Sequence, residues 1–421
     1  MTSTKPIGRR PTPFRQRAAG FTLVELMVGL AIGMLISIAA ASVIAVTESS
    51  RRTTQVGNDM GQVASYTTML LDRAIRSAGS GFAPAASYAY GCKLFAAKSG
   101  TQVLPLPSAG ALPAPFASVT TGTAGVFRLA PVVIGNGQTT PAISGSASDV
   151  LIVMAGTAGQ GEAPMLFSAL SQSATLTVGS TVGLAANDQL LVVDRQPSST
   201  GTADCLVSQV SSTFTSSSQT SIALAGAYYS ATVDSLSMTG FSTDGAAIAL
   251  GNLGAGNPPG FMVYGVGANN TLYSYDLLQA GSSAALPLVD GVFELQALYG
   301  LDTSGDGVID SWSAPTGSYA LSALMDGSST AAGRLRQIIA IRLGLILRGN
   351  RDEVGQFNSV AAAKWGKSLS DYLVAPASLT LFSDLGSGLT YTRDLTNDER
   401  KFRYRVVETT IPVRNNLLLP S

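Results

Sequence analysis

Gly20-Phe21-Thr22-Leu23-Val24-Glu25-Leu26 opens a run that stays apolar or small as far as Thr47, with Glu25 its one charge. As a helix rising about 1.5 Å per residue, Phe21–Thr47 spans roughly 40 Å. That exceeds the ~30 Å hydrocarbon core of a bilayer, so the run can cross it with some tilt. The residues before it hold Lys5, Arg9, Arg10, Arg15 and Arg17 and no acid. A basic flank keeps the N-terminus on the cytoplasmic side and sends the rest outward. Two features set the run apart from a secretory signal. Such a signal has an h-region of about 7–15 residues with its small-residue cleavage site after it. Here Ala18-Ala19-Gly20 stand before the run, so a cut there removes the basic leader and keeps the helix. The second feature is Glu25 itself, since a carboxylate at mid-membrane costs about 2.5–3.5 kcal/mol and is normally paired.

These residues resemble the class III signal of type IV pilins and type II secretion pseudopilins. The resemblance implies that prepilin peptidase cuts after Gly20 on the cytoplasmic face and N-methylates Phe21. It further implies that Glu25 pairs with the N-terminal amine of a neighbouring subunit in a fibre. The physics agrees: a lone carboxylate in an apolar segment needs a cation, and the cut creates one nearby. The plain alternative is a signal anchor with a chance Glu, but leader, Gly20, Phe21-Thr22 and Glu25 all stand in register.

Composition narrows the rest. The 421 residues suffice for one large core or two small ones. Formal net charge is zero, but without the five basic residues of the leader 21 basic face 26 acidic residues, so the mature chain is acidic. No basic domain suggests a nucleic-acid partner. Charged residues make up 12%, about half the usual ~25%, and Gly, Ala, Ser and Thr fill the gap as in secreted strand-and-loop proteins. There is no histidine, which removes Ser-His-Asp and Cys-His catalysis and His-ligated metals. No phosphate loop, nucleophile elbow or paired-carboxylate motif appears, so no enzyme is expected. Cys92 and Cys205 lie in the exported part, where one disulfide or two separate buried thiols are the alternatives.

The chain divides as follows. Residues 1–20 are the leader and 21–47 the transmembrane helix. Gly29, Gly33 and Ser37 recur every fourth place in it, a spacing that lets helices approach closely, or simply the chance of an Ala-rich helix. Residues 48–79 continue the helix with an apolar stripe of Val56, Met60, Val63, Leu70 and Ala74, and Thr67 in the matching place. Gly57 and Gly61 weaken it by about 1 kcal/mol each. Gly79 and Pro84 end it. Residues 80–260 form a β-rich head region with long loops, with candidate strands at 126–134, 149–154, 174–182, 189–194 and 206–214. Asn252–Gly260 punctuates the chain. In the C-terminal β-sheet region, 261–421, Phe293, Leu295, Ala297 and Tyr299 alternate with Glu294, Gln296 and Leu298. Ile339 to Leu347 is apolar at every second place, with Arg342 and Arg348 on the other face. Phe402, Tyr404 and Val406 alternate with Arg403 and Arg405. The expected class is α+β: a long N-terminal spine helix packed on a largely antiparallel β head with Gly/Ser/Thr-rich loops.

Within this region Tyr299-Gly300-Leu301-Asp302, the strand with its two arginines, and Val413-Arg414-Asn415, together with the helix exit Arg76-Ser77-Ala78-Gly79, resemble the PilW family of minor pilins. The resemblance implies a minor pilin of type IV pilus assembly at or near the tip. Its partners would be other minor pilins, the major pilin, a PilY-type tip adhesin and prepilin peptidase. It would sit in the inner membrane as a single-pass protein with the head in the periplasm, and then enter the extracellular pilus. A type II secretion pseudopilin of the J kind shares every N-terminal feature but usually has a smaller head. A membrane-anchored, calcium-dependent adhesin that never enters a fibre is the alternative of another class, for which Glu25 would be dispensable.

One constellation points to a ligand. In Asp302-Thr303-Ser304-Gly305-Asp306-Gly307-Val308-Ile309-Asp310, oxygen side chains alternate around a tight turn. Asp302, Ser304, Asp306, Asp310 and the Val308 carbonyl match the first nine positions of a calcium loop. An EF-hand would add Glu at the twelfth place, here Ser313, and would lead into a helix. Calcium and an empty polar hairpin are both open. Asp394, Asp398 and Glu399 with Arg393, Arg400 and Lys401 mix signs and read as a surface turn, as does Asn350-Arg351-Asp352-Glu353. Trp312 and Trp365 read as core, with partner contact as the alternative.

Overall fold

The computed structural model describes Gly20 and residues 22–107, 111–139, 147–158, 163–196, 201–215, 220–279, 284–354, 366 and 368–419. The leader before Gly20, Phe21 and Trp365 lie outside the described residues. One helix, α1, runs Leu23–Ser77. Its segment Leu23–Ile44 is long and apolar enough to cross a membrane, and none of it is buried. The chain divides into two compact units, Met1–Gln55 and Val56–Ser421, with the β-strands all in the second.

From Val56 onward α1 belongs to this second unit. Val56, Met60, Ala64, Thr67, Leu71, Ile75 and Ala78 are buried, in steps of three and four that trace one helix face. Val56, Met60 and Thr67 are buried as expected, whereas Ala64, Leu71 and Ile75 lie one residue after the expected Val63, Leu70 and Ala74. Val63, Leu70 and Ala74 flank the buried row and pack against it from the side. Periodicity defines a face about 100° wide, and only the sheets beneath decide which row lies deepest. The helix ends where Gly79 turns left-handed, at φ +82°, a conformation that glycine adopts without a Cβ penalty. The Gly79 amide then donates to the Met154 carbonyl at 2.9 Å. Asn415 Nδ2 donates to the Ala78 carbonyl at 2.8 Å, so residues at the far end of the chain cap the helix.

The strands follow in order. A hairpin of β1 (Lys93–Lys98) and β2 (Thr101–Leu104) precedes β3 (Val132–Gly135), β4 (Val150–Ala155), β5 (Met165–Leu166) and β6 (Thr175–Thr177). Next come β7 (Asp188–Asp194), β8 (Asp204–Gln209), β9 (Ser221–Ala223), β10 (Thr232–Val233), β11 (Leu236–Ser237) and β12 (Gly245–Asn252). Then β13 (Gly260–Gly267), β14 (Thr271–Asp276), β15 (Leu286–Asp290), β16 (Val292–Leu301) and β17 (Ser311–Ser313). The last are β18 (Ile338–Arg348), β19 (Ser378–Leu381), β20 (Tyr391–Asp394) and β21 (Tyr404–Pro412). They form a six-stranded sheet, β2-β1-β8-β7-β12-β5, a five-stranded sheet, β15-β14-β13-β4-β3, a four-stranded sheet, β17-β16-β18-β21, and three two-stranded ribbons. Every ladder is antiparallel except β1 with β8. Together with α1 this is an α+β fold. The five-stranded sheet takes two strands from before residue 260 and three after it, so the punctuation at Asn252–Gly260 marks a change of sheet along the chain. Of the expected segments 126–134 and 174–182, only Val132–Gly135 and Thr175–Thr177 join ladders.

The four-stranded sheet is covered on both faces. Leu295, Ala297, Tyr299, Ile341, Leu343, Leu345 and Leu347 join the main core with α1. Phe293 does not share that face, because the β16 register slips between Val292 and Glu294. The bulge turns Phe293 to the opposite side, where it packs with Leu298, Ile346, Leu381, Phe382 and Leu395. This second layer is a strap, residues 375–402, laid across the sheet. Gly344 admits it: a Cβ there would lie 2.8 Å from the Phe382 ring. Phe402 ends a short 3-10 turn, so the last strand begins at Tyr404 and not at Phe402. The Arg348 guanidinium stands over the Phe402 and Phe293 rings, at 4.5 and 5.5 Å.

Arg393 and Glu399 are not a surface turn. Arg393 is buried against Glu294 at 3.2 Å and against Glu399 at 2.9 Å. Glu294 also accepts from Gln296 Nε2 and the Tyr391 hydroxyl. Mixed charges close in sequence normally stay solvated. Here the strap carries them onto the sheet, where Glu294 supplies a charge from nearly a hundred residues away. A second buried acid joins two sheets. Asp149 accepts from the Gly137 amide at 2.8 Å and the Ala297 amide at 2.9 Å, and its own amide donates to the Leu295 carbonyl. It satisfies the edge of β16 that β17 leaves unpaired.

Burial pushes the Asp149 carboxyl up from 3.8 to about 7, against the lowering effect of the Gly137 and Ala297 amides and with Glu294 adding to the rise. The folded state thus holds this proton where the unfolded chain has released it. The stabilisation from this group is complete below the unfolded value and falls as pH rises to about 7. In urea unfolding of the detergent-solubilised chain, the stability difference between wild type and Asp149→Asn should shift against wild type between pH 4 and 7. Arg393→Ala should cost about 3–5 kcal/mol in the same assay, because it strands two buried carboxylates. An exposed turn would lose less than about 0.5 kcal/mol.

Candidate functional site

Three places carry the chemistry expected from the sequence: the start of α1, the cysteine pair and the acidic loop. At the start of α1, Gly20 is exposed and precedes the helix. Thr22 is its N-cap. The Thr22 hydroxyl accepts from the Glu25 amide at 3.3 Å, and the Thr22 carbonyl accepts from Leu26 at 3.1 Å. Thr22-Leu23-Val24-Glu25 has the spacing of a capping box, which starts a helix sharply at a fixed residue. Glu25 therefore sits in the first turn, exposed, the one acid of that turn. Its neighbours Leu23, Val24, Leu26 and Met27 are at least 61% exposed. A surface this apolar needs lipid or protein around it.

Cys92 and Cys205 are joined by a disulfide, Cα to Cα 5.6 Å. The sequence left this open, because only the parallel register of β1 with β8 sets Cys205 opposite Leu94, two residues from Cys92. Both cysteines are fully buried, so the bond is part of the core of the six-stranded sheet.

The acidic loop, residues 302–310, is the hairpin between β16 and β17. Asp302, Ser304, Asp306, Val308 and Asp310 are close in space, but the acids point at donors of the loop itself. Asp302 accepts from the Gly305 amide at 2.6 Å, the Gly307 amide at 2.7 Å and the Ser304 hydroxyl. Asp310 accepts from the Thr303 amide and hydroxyl and from the Ser304 amide. Asp306 accepts from the Val308 amide. Desolvation works against ionisation of Asp302, but the Gly307 and Gly305 amides outweigh it and hold its carboxyl below the usual range. The Thr303 hydroxyl and amide lower Asp310 likewise. Among the described residues no three acids or cysteines converge to hold a metal. In this arrangement the loop acids are tied to the loop's own amides and hydroxyls.

Several residues that matter were invisible to motif reading. Glu294, Arg393 and Glu399 meet only through the strap. Asn416, fully engaged by Tyr90, Leu335 and Ile338, locks the C-terminal tail. Asp149 offered one signal, an acid next to an all-apolar strand. Trp312 packs against the strap layer.

The model of the family described as Type IV Pilus-assembly protein W matches residues 261–415. The Prokaryotic N-terminal methylation motif matches residues 15–41. No curated protein and no solved structure matches the chain. The first match covers the four-stranded sheet, the strap and the Asn415 cap. The second covers the leader junction, the Thr22 cap and Glu25.

The melting temperature of the detergent-solubilised chain should be the same in calcium and in chelator. Asp302→Ala should lower it in both, because three donors lose their acceptor. A calcium-dependent rise in wild type, absent in Asp306→Ala, would show instead that the loop opens to take the ion.

Proposed function

We propose that this chain, a PilW-like prepilin-type protein of type IV pilus assembly, acts as a minor pilin at or near the pilus tip. The observation that carries this reading is the position of Glu25. It is one acid in a membrane-length apolar helix, in the first turn after Gly20 and within the methylation motif. In this reading prepilin peptidase cuts after Gly20 and methylates Phe21, and the new amine becomes a cation at the helix start. Within one chain the amine and Glu25 lie near the same helix end. In a bundle, the Glu25 of an incoming subunit meets the amine of the one already in place. An ion pair formed in an apolar medium is much stronger than in water, so an unpaired subunit is held in the membrane until a neighbour supplies the counter-charge.

The head would be held in the periplasm before assembly and displayed on the pilus after it. The PilW match over the C-terminal sheet and strap supports the pilus over a secretion pseudopilus. The disulfide suits an oxidising compartment. Other minor pilins, the major pilin and a tip adhesin are the partners in this account.

Mass spectrometry of the mature N-terminus should find N-methyl-Phe21 and no leader. Glu25→Ala should leave the protein processed and membrane-bound yet reduce its recovery in sheared pili by at least about tenfold, the equivalent of ~1.4 kcal/mol. An intact leader, or full recovery of the Glu25→Ala protein, would sink the reading.

A further inference from the structure

A groove of about 560 Å³ runs between the second half of α1 and the five-stranded sheet. Tyr66, Met69 and Arg73 line it from the helix, and Val153, Met262 and Tyr264 from β4 and β13. Tyr66 and Met69 are 50% and 62% exposed, although both are large and apolar. A wet apolar cleft of this kind in a folded head calls for an occupant.

The walls restrict what that occupant can be. β13 is paired on both sides, with β4 and β14, and β4 with β3 and β13. The amides of Gly156 and Thr157, at one end, already donate to the Ser80 and Leu250 carbonyls. The other wall is a helix whose main chain bonds to itself. An extended peptide would find no ladder to join, so strand addition is ruled out. The groove can recognise side chains only, and a rod that presents side chains while satisfying its own main chain is a helix. Charge adds a second condition. Asp72 and Arg76 neutralise each other at 2.7 Å. Arg73, between them in sequence and exposed at the rim, makes no hydrogen bond or ion pair among the described residues. The groove thus offers an apolar floor and one unused guanidinium.

We propose that this groove seats the helix of an adjacent prepilin-type subunit, through apolar side chains over Met69 and Met262 and a carboxylate against Arg73. The proposal rests on the assembly reading above and names the surface used in it. The membrane-length segment of this chain is itself an apolar helix with one acid, and without its leader's basic residues the chain is acidic, 26 acids to 21 bases. The apolar contact supplies affinity, and the Arg73–carboxylate pair fixes how far the two helices slide along each other.

The test is photo-crosslinking in piliated cells from p-benzoylphenylalanine at Met69 of the full chain, with the Tyr66 position as a second probe. Both side chains are exposed, so the head should fold unchanged, which an unaltered melting temperature checks. The expected product is a covalent dimer with another prepilin-type subunit, mapped by mass spectrometry to a helix that carries an acid. Arg73→Glu should cut the yield at least about tenfold, since like charges face each other. Changing the mapped acid to Arg should restore it. The groove proposal is overturned if neither probe crosslinks to a prepilin-type subunit while the chain is recovered in sheared pili, or if Arg73→Glu leaves the yield unchanged. Absence of the chain from pili overturns the assembly reading and this proposal together.

Discussion

The second half of α1 is the element around which the head is built. Its buried face, from Ala64 to Ala78, packs with strands of all three large sheets in one continuous core. This constraint explains why the helix exit is so heavily tied. Gly79 must turn left-handed so that its amide can reach β4, and Asn415 must return from the end of the chain to cap Ala78. Main-chain hydrogen bonds in a dry core tie the helix exit to the sheet more rigidly than surface side-chain contacts would.

Sheets that pack on one helix leave polar edges between them, and buried acids resolve two of these. Asp149 stands in for a missing strand along β16. Glu294, on the same strand but facing the other way, anchors the strap through Arg393. Both acids close gaps in the hydrogen bonding of the fold. The strap's second layer, Phe382 over Gly344 and Arg348 over two rings, turns a half-wet sheet into one buried on both faces. Arg342 adds a partly exposed link from that face to Asp384 of the strap and Glu408 of β21, worth little by itself but in register with the rest.

The N-terminal features work by a different rule. Nothing in Leu23–Ile44 is buried, so this segment depends on what surrounds it. Thr22 makes the start of the helix definite, which places Glu25 in its first turn and not at a frayed end. In the assembly reading, a carboxylate in a fixed place on an apolar rod serves as a recognition element of very few atoms. It needs no pocket, because its surroundings strengthen any charge it meets.

The sequence by itself determined everything that depends on local pattern. The membrane-length run, Glu25, the continuing helix, strands at 149–154 and 339–347, each within a residue of the observed bounds, and the α+β class all rest on composition, period and spacing, which act over a few residues. Tertiary structure alone decided what depends on distant partners. It chose the buried row of α1, because that row is set by the sheets beneath. It turned Phe293 outward through a one-residue bulge that no alternation could foretell. It buried Arg393 and Glu399, since desolvating charges requires a counter-charge, and Glu294 is brought to them only by the fold. It folded the acidic loop around its own amides, a hydrogen-bond pattern that the spacing of the oxygens did not foretell.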